Sequence, residues 1–538
     1  MPYCENCGAK LSPGARFCED CGAEVESTDS VLMDGTTNPV KSVDSLTTFE
    51  GDWLSKWSDA ARDASYEELG IILTDVESLS EQLNCSAECL KDAILDYVLA
   101  AESRGVHYHL LDCGNNGLRN VNARSVESVV GLLTEVVNVA RPKYLFILGN
   151  EQIVNVAKWE NQASDSDEDV PADLPYVTLD TKSPWNGQKY DFSDVLRTGR
   201  LPSYDGESLD EFVAYFENAK EGAANITRTI PYGLSAQVWK GASDALYHEI
   251  ASENVNLSPG VKLENVEQTI PDDVNLLYFN LHGSDQTKFW YGQEGSNYPE
   301  TFSPDVVASI DHPYFLGVEA CYGARYIGGL TPDSSIVLMA IQKGCLALLG
   351  SSRIAFGPCV PPGTCADIMI GTFLKKISEG ESSGDAYCAA MGDLMSDSNL
   401  NDSTIKTLAE FSLYGDPSVG MGRYKAKSKI KKLLSGVSKG LRVPMPDIRR
   451  ALAAVQLASE HRAAQIFRNM IYSQGKSLTS KLSFSMMDYM QGIDPKFYQV
   501  GDTGLYQAVF VNNKGPFNRI AKVYFDAKGA IKQQLVSK

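Results

Sequence analysis

The sequence predicts an α/β protein: a mainly parallel sheet flanked by helices, with a small cysteine-paired unit before it and a small antiparallel β module after it. Three observations carry that prediction. Apolar runs of strand length at 107–111, 144–148, 274–281, 314–318 and 345–349 alternate with stretches of helical spacing such as 125–140, the βαβ pattern of a parallel sheet. Two Cys-x-x-Cys-Gly-Ala repeats stand near the start of the chain. Near its other end, runs at 497–500, 505–511, 521–525 and 531–536 are separated by the turn-forming stretches 512–515 and 526–529.

In order along the chain, residues 1–24 read as a zinc ribbon. Cys4, Cys7, Cys18 and Cys21 form two knuckles whose four thiolates suit a tetrahedral Zn²⁺, in a closed site that folds the ribbon and does no hydrolysis. Its expected use is docking to protein or to nucleic acid. Residues 25–50 are rich in Ser, Thr, Asp and Gly without periodicity, and read as a flexible linker. A helical segment is expected over 51–104, with helical spacing at 53–61 and 66–103, and the sheet domain over 105–422. Within it, His107 and His109 alternate on one strand face and are expected to be core or edge histidines. The acidic loop 164–169 is expected to face solvent; it lacks the alternating ligands and closing Glu of a Ca²⁺ loop, so Ca²⁺ is at most a minor possibility. Residues 423–485 form a basic helical segment interrupted near Pro444 and Pro446, and 486–538 a β module suited to interaction.

Composition narrows the class. At 538 residues, 43% hydrophobic and 22% charged, the chain has the balance of a globular protein of two to four domains. No apolar run approaches the roughly 20 residues that span a bilayer, and no basic-then-apolar signal opens the sequence, so a cytoplasmic protein is expected. The 12 cysteines are mostly scattered through helix-like and strand-like segments, unlike a small disulfide framework. The net charge of -21 hides an asymmetry: from Met421 onward there are 21 Lys and Arg against 6 Asp and Glu. A basic tail on an acidic body can fold back or meet an anionic partner.

Two strands end on chemistry. One runs into His282-Gly283-Ser284, the next into Glu319-Ala320-Cys321-Tyr322, as a parallel sheet presents reactive groups at its carboxyl edge. A thiol is mostly protonated at neutral pH and needs a base to become a nucleophile, so the pairing points to a cysteine peptidase with His282 as base and Cys321 as nucleophile. Gly283, lacking Cβ, would let a peptide carbonyl approach its N–H, which with the Cys321 N–H makes an oxyanion hole.

These residues resemble the caspase-like clan of cysteine peptidases. Tyr144-Leu-Phe-Ile-Leu-Gly149-Asn150, Arg197-Thr-Gly199-Arg200-Leu-Pro202, His282-Gly283-Ser284, Gly350-Ser-Ser-Arg353 and Leu413-Tyr-Gly415-Asp416-Pro417-Ser418 occur in the order of its gingipain-like branch, across 105–422. The resemblance implies a caspase/gingipain-like fold, with Asp180 at the end of a 176–179 strand orienting the histidine. It also implies Asp191, with Asp194 close by, and Glu319 as acids of the first specificity pocket. Ser284 and Tyr322, flanking the reacting groups, are expected to bind substrate, and Trp290 with Tyr291 would wall the pocket. Buried acids call for a cationic substrate group, so cleavage after Arg or Lys is expected. Unlike the exported members of that branch, this chain begins with a ribbon, so a restrained intracellular enzyme is expected, controlled by a partner, a ligand or self-processing. Two alternatives remain open: a regulatory binding protein on an inactive or conditionally active peptidase fold, and caspase-type cleavage after Asp in a defence or cell-death pathway, with Arg325 and Arg353 nearby.

Overall fold

The computed structural model describes residues 68–114, 121–187, 190–226, 228–396, 400–422, 462–464, 466–467, 490, 493–501, 503–513 and 516–538. The ribbon cysteines, the linker, the 53–61 stretch and most of the basic segment lie outside the described residues.

The main sheet begins before residue 105. β1 (Glu68–Thr74) is followed by α1 (Val76–Gln82), α2 (Ala87–Glu102) and β2 (Val106–Asp112). The helix expected over 66–103 is therefore a strand and two helices. The run at 69–73 is short and continuously apolar, Asp75 stops it by capping α1 through Ser78 N, and Ser86 caps α2 through Cys89 N. Then come α3 (Val126–Ala140), β3 (Tyr144–Leu148), a hairpin of β4 (Ala157–Glu160) and β5 (Asp169–Ala172), α4 (Leu174–Thr178) and β6 (Arg197–Leu201). The 176–179 stretch, expected as a strand, thus lies in α4 and its left-handed cap at Leu179; Pro175 in the first turn suits a helix start.

The second half holds α5 (Leu209–Asn225), β7 (Pro231–Ala236), α6 (Lys240–Tyr247), β8 (Asn256–Ser258), β9 (Leu276–Asn280), a hairpin of β10 (Trp290–Tyr291) and β11 (Glu300–Phe302), and α7 (Pro304–Ala308). It continues through β12 (Tyr314–Val318), α8 (Ile336–Gln342), β13 (Cys345–Ser351), β14 (Phe356–Gly357), α9 (Ala366–Ser378), α10 (Ser383–Ser396), α11 (Asp402–Glu410) and β15 (Phe411–Gly415). Ten strands share one sheet, in the order β2-β1-β3-β6-β15-β13-β12-β9-β7-β8. β15 runs antiparallel to β13, while the pairings from β2 to β6 and from β13 to β8 are parallel. Phe315 lies opposite Leu276 and Val318 opposite Phe279, so β9 and β12 end level with each other.

The remaining strands, β16 (Lys496–Val500), β17 (Leu505–Asn512), β18 (Arg519–Asp526) and β19 (Ile531–Ser537), form an antiparallel meander. The four strands agree with expectation within two residues. What the sequence did not suggest is that β14 of the main domain pairs with β19 and makes a fifth strand of this sheet.

Several motifs have structural causes. Arg200 is fully buried, gripping Asp173 at 2.8 and 2.7 Å and donating to the carbonyls of Gly149 and Val154. A Cβ on Gly199 would sit 2.3 Å from the Gly415 carbonyl, so the two motifs need the glycine to pack. Asp416 collects Tyr97, Tyr108 and Arg104. The acidic loop is not a solvent-facing one: Asp165 and Asp167 are engaged by buried Lys406 at 2.8 and 2.5 Å, and Asp169 by Arg353. Uncompensated carboxylates face water, whereas a buried ammonium from α11 offsets the cost of burying these two. Among the described residues no cluster suits a metal ion, and no helix is long and apolar enough to cross a membrane.

Candidate active site

Level strand ends bring the loops that carry His282 and Cys321 together. Glu319 N donates to Phe279 O at the last rung between β12 and β9, after which both chains turn away from the sheet. The β12 turn is tied to the loop after β13, with Tyr322 N donating to Arg353 O at 2.8 Å and Ala324 N to Ser351 O at 2.9 Å. Tyr322 sits at φ +54, and its hydroxyl donates to Asp167 at 2.6 Å. The Lys406 cluster thereby braces the residue next to Cys321.

His282 is bridged to β10, exchanging backbone hydrogen bonds of 2.8 Å each way with Tyr291. Two residues on, Gln293 Oε1 accepts from His282 Nε2 at 2.7 Å. The Gln293 amide group donates to Gly295 O and Tyr298 Oη, which fixes its oxygen toward the ring. An acceptor there holds the proton on Nε2 and leaves the lone pair on Nδ1, an atom with no hydrogen-bond partner. Asp180 does not fill this place: its carboxylate caps Lys182 N in the exposed turn after α4. The ring lies between Trp239, at 4.3 Å, and Phe517, stacked at 4.5 Å. Burial, with Arg519 and Lys538 adding positive charge, lowers its pKa to about 3.

Cys321 is 3% exposed and its thiol points to Ala355 O at 3.6 Å. Burial pushes the thiol well up, so both the Cys321 thiol and the His282 imidazole are neutral in the covered site. The cover is the C-terminal sheet: Cys321, Ile354 and Phe356 share one apolar cluster with Val500, Val509, Ile520, Tyr524 and Leu535. Gly283 is required, for a reason other than substrate approach: a Cβ would lie 1.7 Å from Cys321 O, so the two loops touch backbone to backbone.

Glu319 is fully buried and accepts from Tyr278 Oη at 2.7 Å. Its other oxygen forms an ion pair with Lys538 Nζ at 2.9 Å, without the alignment of a directed hydrogen bond, and Asp367 from the first turn of α9 accepts from the same ammonium at 3.2 Å. Burial and the neighbouring Asp367 raise the Glu319 pKa, while the pair of acids holds the Lys538 ammonium charged. Trp239 stands 4.8 Å from that ammonium. Trp290 is instead a packing residue between Phe279 and Phe302. Asp191 and Asp194 are exposed, before the start of β6; Asp191 lines a cleft with Lys376 and Asp385. Lys376 is in the last turn of α9 and Asp367 in the first, roughly 14 Å apart along the axis, so that cleft is not the pocket of Glu319. Ser284, Trp290 and Tyr322 line a separate cavity with Arg325, whose guanidinium donates to Asp285 O.

Sequence reading missed Gln293, Trp239, Asp367 and Lys538. Only Gln293 carried a signal, a polar residue following a short aromatic strand, and that signal is weak.

A ten-stranded α/β sheet with a histidine and a cysteine just past adjacent strand ends is the arrangement expected of a cysteine peptidase. The model of peptidase family C25 matches residues 124–422, more than half of the chain, and the chain belongs to that family. A zinc-ribbon domain model matches residues 3–25. Among solved structures, the chain is similar to the Arg-specific cysteine proteinase gingipain R, with 12% identity and a TM-score of 0.48 over 89% of this chain and 92% of that one. It is also similar to the complex of the Porphyromonas gingivalis RgpB pro- and mature domains, with 14% identity and a TM-score of 0.46 over 66% and 79% of the two chains. Comparison with curated proteins gave no match.

Proposed function

We propose that the protein is an endopeptidase that cuts protein chains after basic residues, with Cys321 as nucleophile and His282 as base. The observation that carries this reading is the environment of one residue. Cys321 N donates to Lys538 O at 3.3 Å while the ammonium of that same lysine lies between Glu319 and Asp367. An acyl carbonyl at the nucleophile's N–H and a cationic side chain on buried acids are what a basic residue before a scissile bond needs. In the reaction His282 Nδ1 takes the thiol proton, and Sγ attacks the carbonyl carbon. The C–N bond then breaks as the imidazolium protonates the leaving amine, and water hydrolyses the thioester with His282 again as base. Gly283 N is proposed as the second oxyanion donor.

Zn²⁺ held by Cys4, Cys7, Cys18 and Cys21 would fold the ribbon as a docking unit for a regulatory protein, within the cell. The test of the main reading is hydrolysis of fluorogenic peptides ending in Lys, Arg, Asp or Asn, beside Cys321→Ala. Turnover of basic peptides that disappears in Cys321→Ala supports it; turnover of Asp peptides alone, or full activity of Cys321→Ala, overturns it.

A further inference from the structure

The cleft is occupied by the chain itself. β19 lies antiparallel on β14, Ser537 opposite Phe356 and Val536 opposite Gly357, and the pairing continues one residue further with Lys538 N donating to Ala355 O at 3.0 Å. This is β-strand addition, the way an extended peptide docks on a sheet edge, with main-chain bonds for affinity and one side-chain pocket for specificity. Lys538 O accepts from the Cys321 N–H at 3.3 Å, so the residue sits against the loop that carries the proposed nucleophile.

We propose that Val536, Ser537 and Lys538 hold the substrate cleft as the residues before a scissile bond would, so that the C-terminal strand competes with substrate and the pocket under Lys538 is built for lysine rather than arginine. This rests on the peptidase reading above, and says what that site takes and what keeps it closed.

The pocket's dimensions carry the preference. The lysine side chain is 0% exposed and its ammonium already reaches the floor, where Glu319 and Asp367 are themselves buried. Gly357 makes room for the stem: a Cβ there would lie 2.3 Å from Lys538 Cε. Behind Glu319 stands the Tyr278 hydroxyl, so the floor is closed. An ammonium is a compact point charge that fits between two acids, whereas a guanidinium is a wider planar fork on a longer reach. Trp239 adds a ring face to the cation. Covering is completed by Phe517 on the His282 ring and by the apolar cluster over Cys321.

The test uses the full chain and two readouts: the rate at which iodoacetamide alkylates Cys321, followed by mass spectrometry of that peptide, and turnover of Lys, Arg and Asp peptides. Lys538→Ala should raise both the alkylation rate and the turnover of Lys peptides by about tenfold or more, since a competitor held in place reduces the competent fraction. In that variant N-acetyl-lysine should restore protection of Cys321 at lower concentration than N-acetyl-arginine. Gly357→Ala gives an independent check, because its methyl group evicts the lysine stem: alkylation should rise while turnover of Lys peptides stays low. Unchanged alkylation in both variants would overturn the occupied cleft, and protection by N-acetyl-arginine equal to or better than by N-acetyl-lysine would overturn the lysine pocket. Faster alkylation with lysine protection but no hydrolysis of any peptide would leave the occupied cleft standing and sink the peptidase reading.

Discussion

Gln293 Oε1 accepts the Nε2 hydrogen of His282 at 2.7 Å, and the Gln293 amide is itself held by Gly295 and Tyr298. A neutral acceptor therefore sets the tautomer where the family resemblance suggested a carboxylate. The Nδ1 lone pair is left as the basic atom, and the partner on the Nε2 side carries no charge.

Replacing that acceptor should cost turnover. Gln293→Leu, made together with Lys538→Ala so that the cleft is open, is expected to lower kcat by about 10- to 100-fold with little change in KM, because substrate contacts are untouched and only the ring's orientation is lost. Gln293→Glu should retain more activity than Gln293→Leu. Steady-state kinetics on a Lys peptide separates these outcomes.

The buried histidine makes stability depend on pH. Its folded pKa of about 3 lies below the ordinary value of 6.5, so between those values the unfolded chain binds the extra proton. Its contribution is complete above about pH 6.5 and is lost as pH falls toward 3, at up to about 1.4 kcal/mol per pH unit for one proton. Gln293, Arg519 and Lys538 face the ring, and both cations push in the same direction. Urea melts at pH 7, 6, 5 and 4 should show a steeper loss for the natural protein than for His282→Phe; parallel curves would refute the assignment.

The Lys406 cluster supports the Cys321 turn through the Asp167–Tyr322 contact. Lys406→Met removes an ammonium that pairs with Asp165 and Asp167 and, at 3.8 Å, with Glu410. The expected loss is about 3–5 kcal/mol of stability, the cost of stranding buried carboxylates. Asp167→Asn, which keeps the shape but weakens the Tyr322 contact, should cost less stability and proportionally more activity. Chemical denaturation alongside peptide turnover measures both.

Gly283 admits no side chain. Gly283→Ala forces a methyl group to within 1.7 Å of Cys321 O, so the two loops must separate. Overpacking of this kind costs about 1–3 kcal/mol. Activity should fall by more than the stability loss accounts for, because the shift is transmitted directly to Cys321; kinetics at a temperature well below the melting point isolates that effect.

The strands that lead to His282 and Cys321 were legible because their apolar runs are short, continuous and stop at those residues, and the last four strands were legible from turn chemistry at 512–515 and 526–529. β1 was not: the run at 69–73 precedes a long helical pattern and merges with it until the Asp75 cap is seen to break the two apart. The acidic loop was misread for a related reason. Nothing local tells Asp165 and Asp167 that a lysine some 240 positions later will be buried against them.

Sequence alone determined the peptidase class and placed His282, Glu319 and Cys321 just past the ends of two strands, since each is a residue type at the end of a recognisable element. Tertiary structure decided the rest. Gln293 orients the histidine because a hairpin folds back on it, Asp367 joins Glu319 because a helix begins there, and Lys538 fills the cleft because the last strand pairs with β14. The last two are contacts between segments far apart in the chain, while the Gln293 contact spans eleven residues but needs the hairpin to form, and local pattern carries no record of which groups will share a dry site.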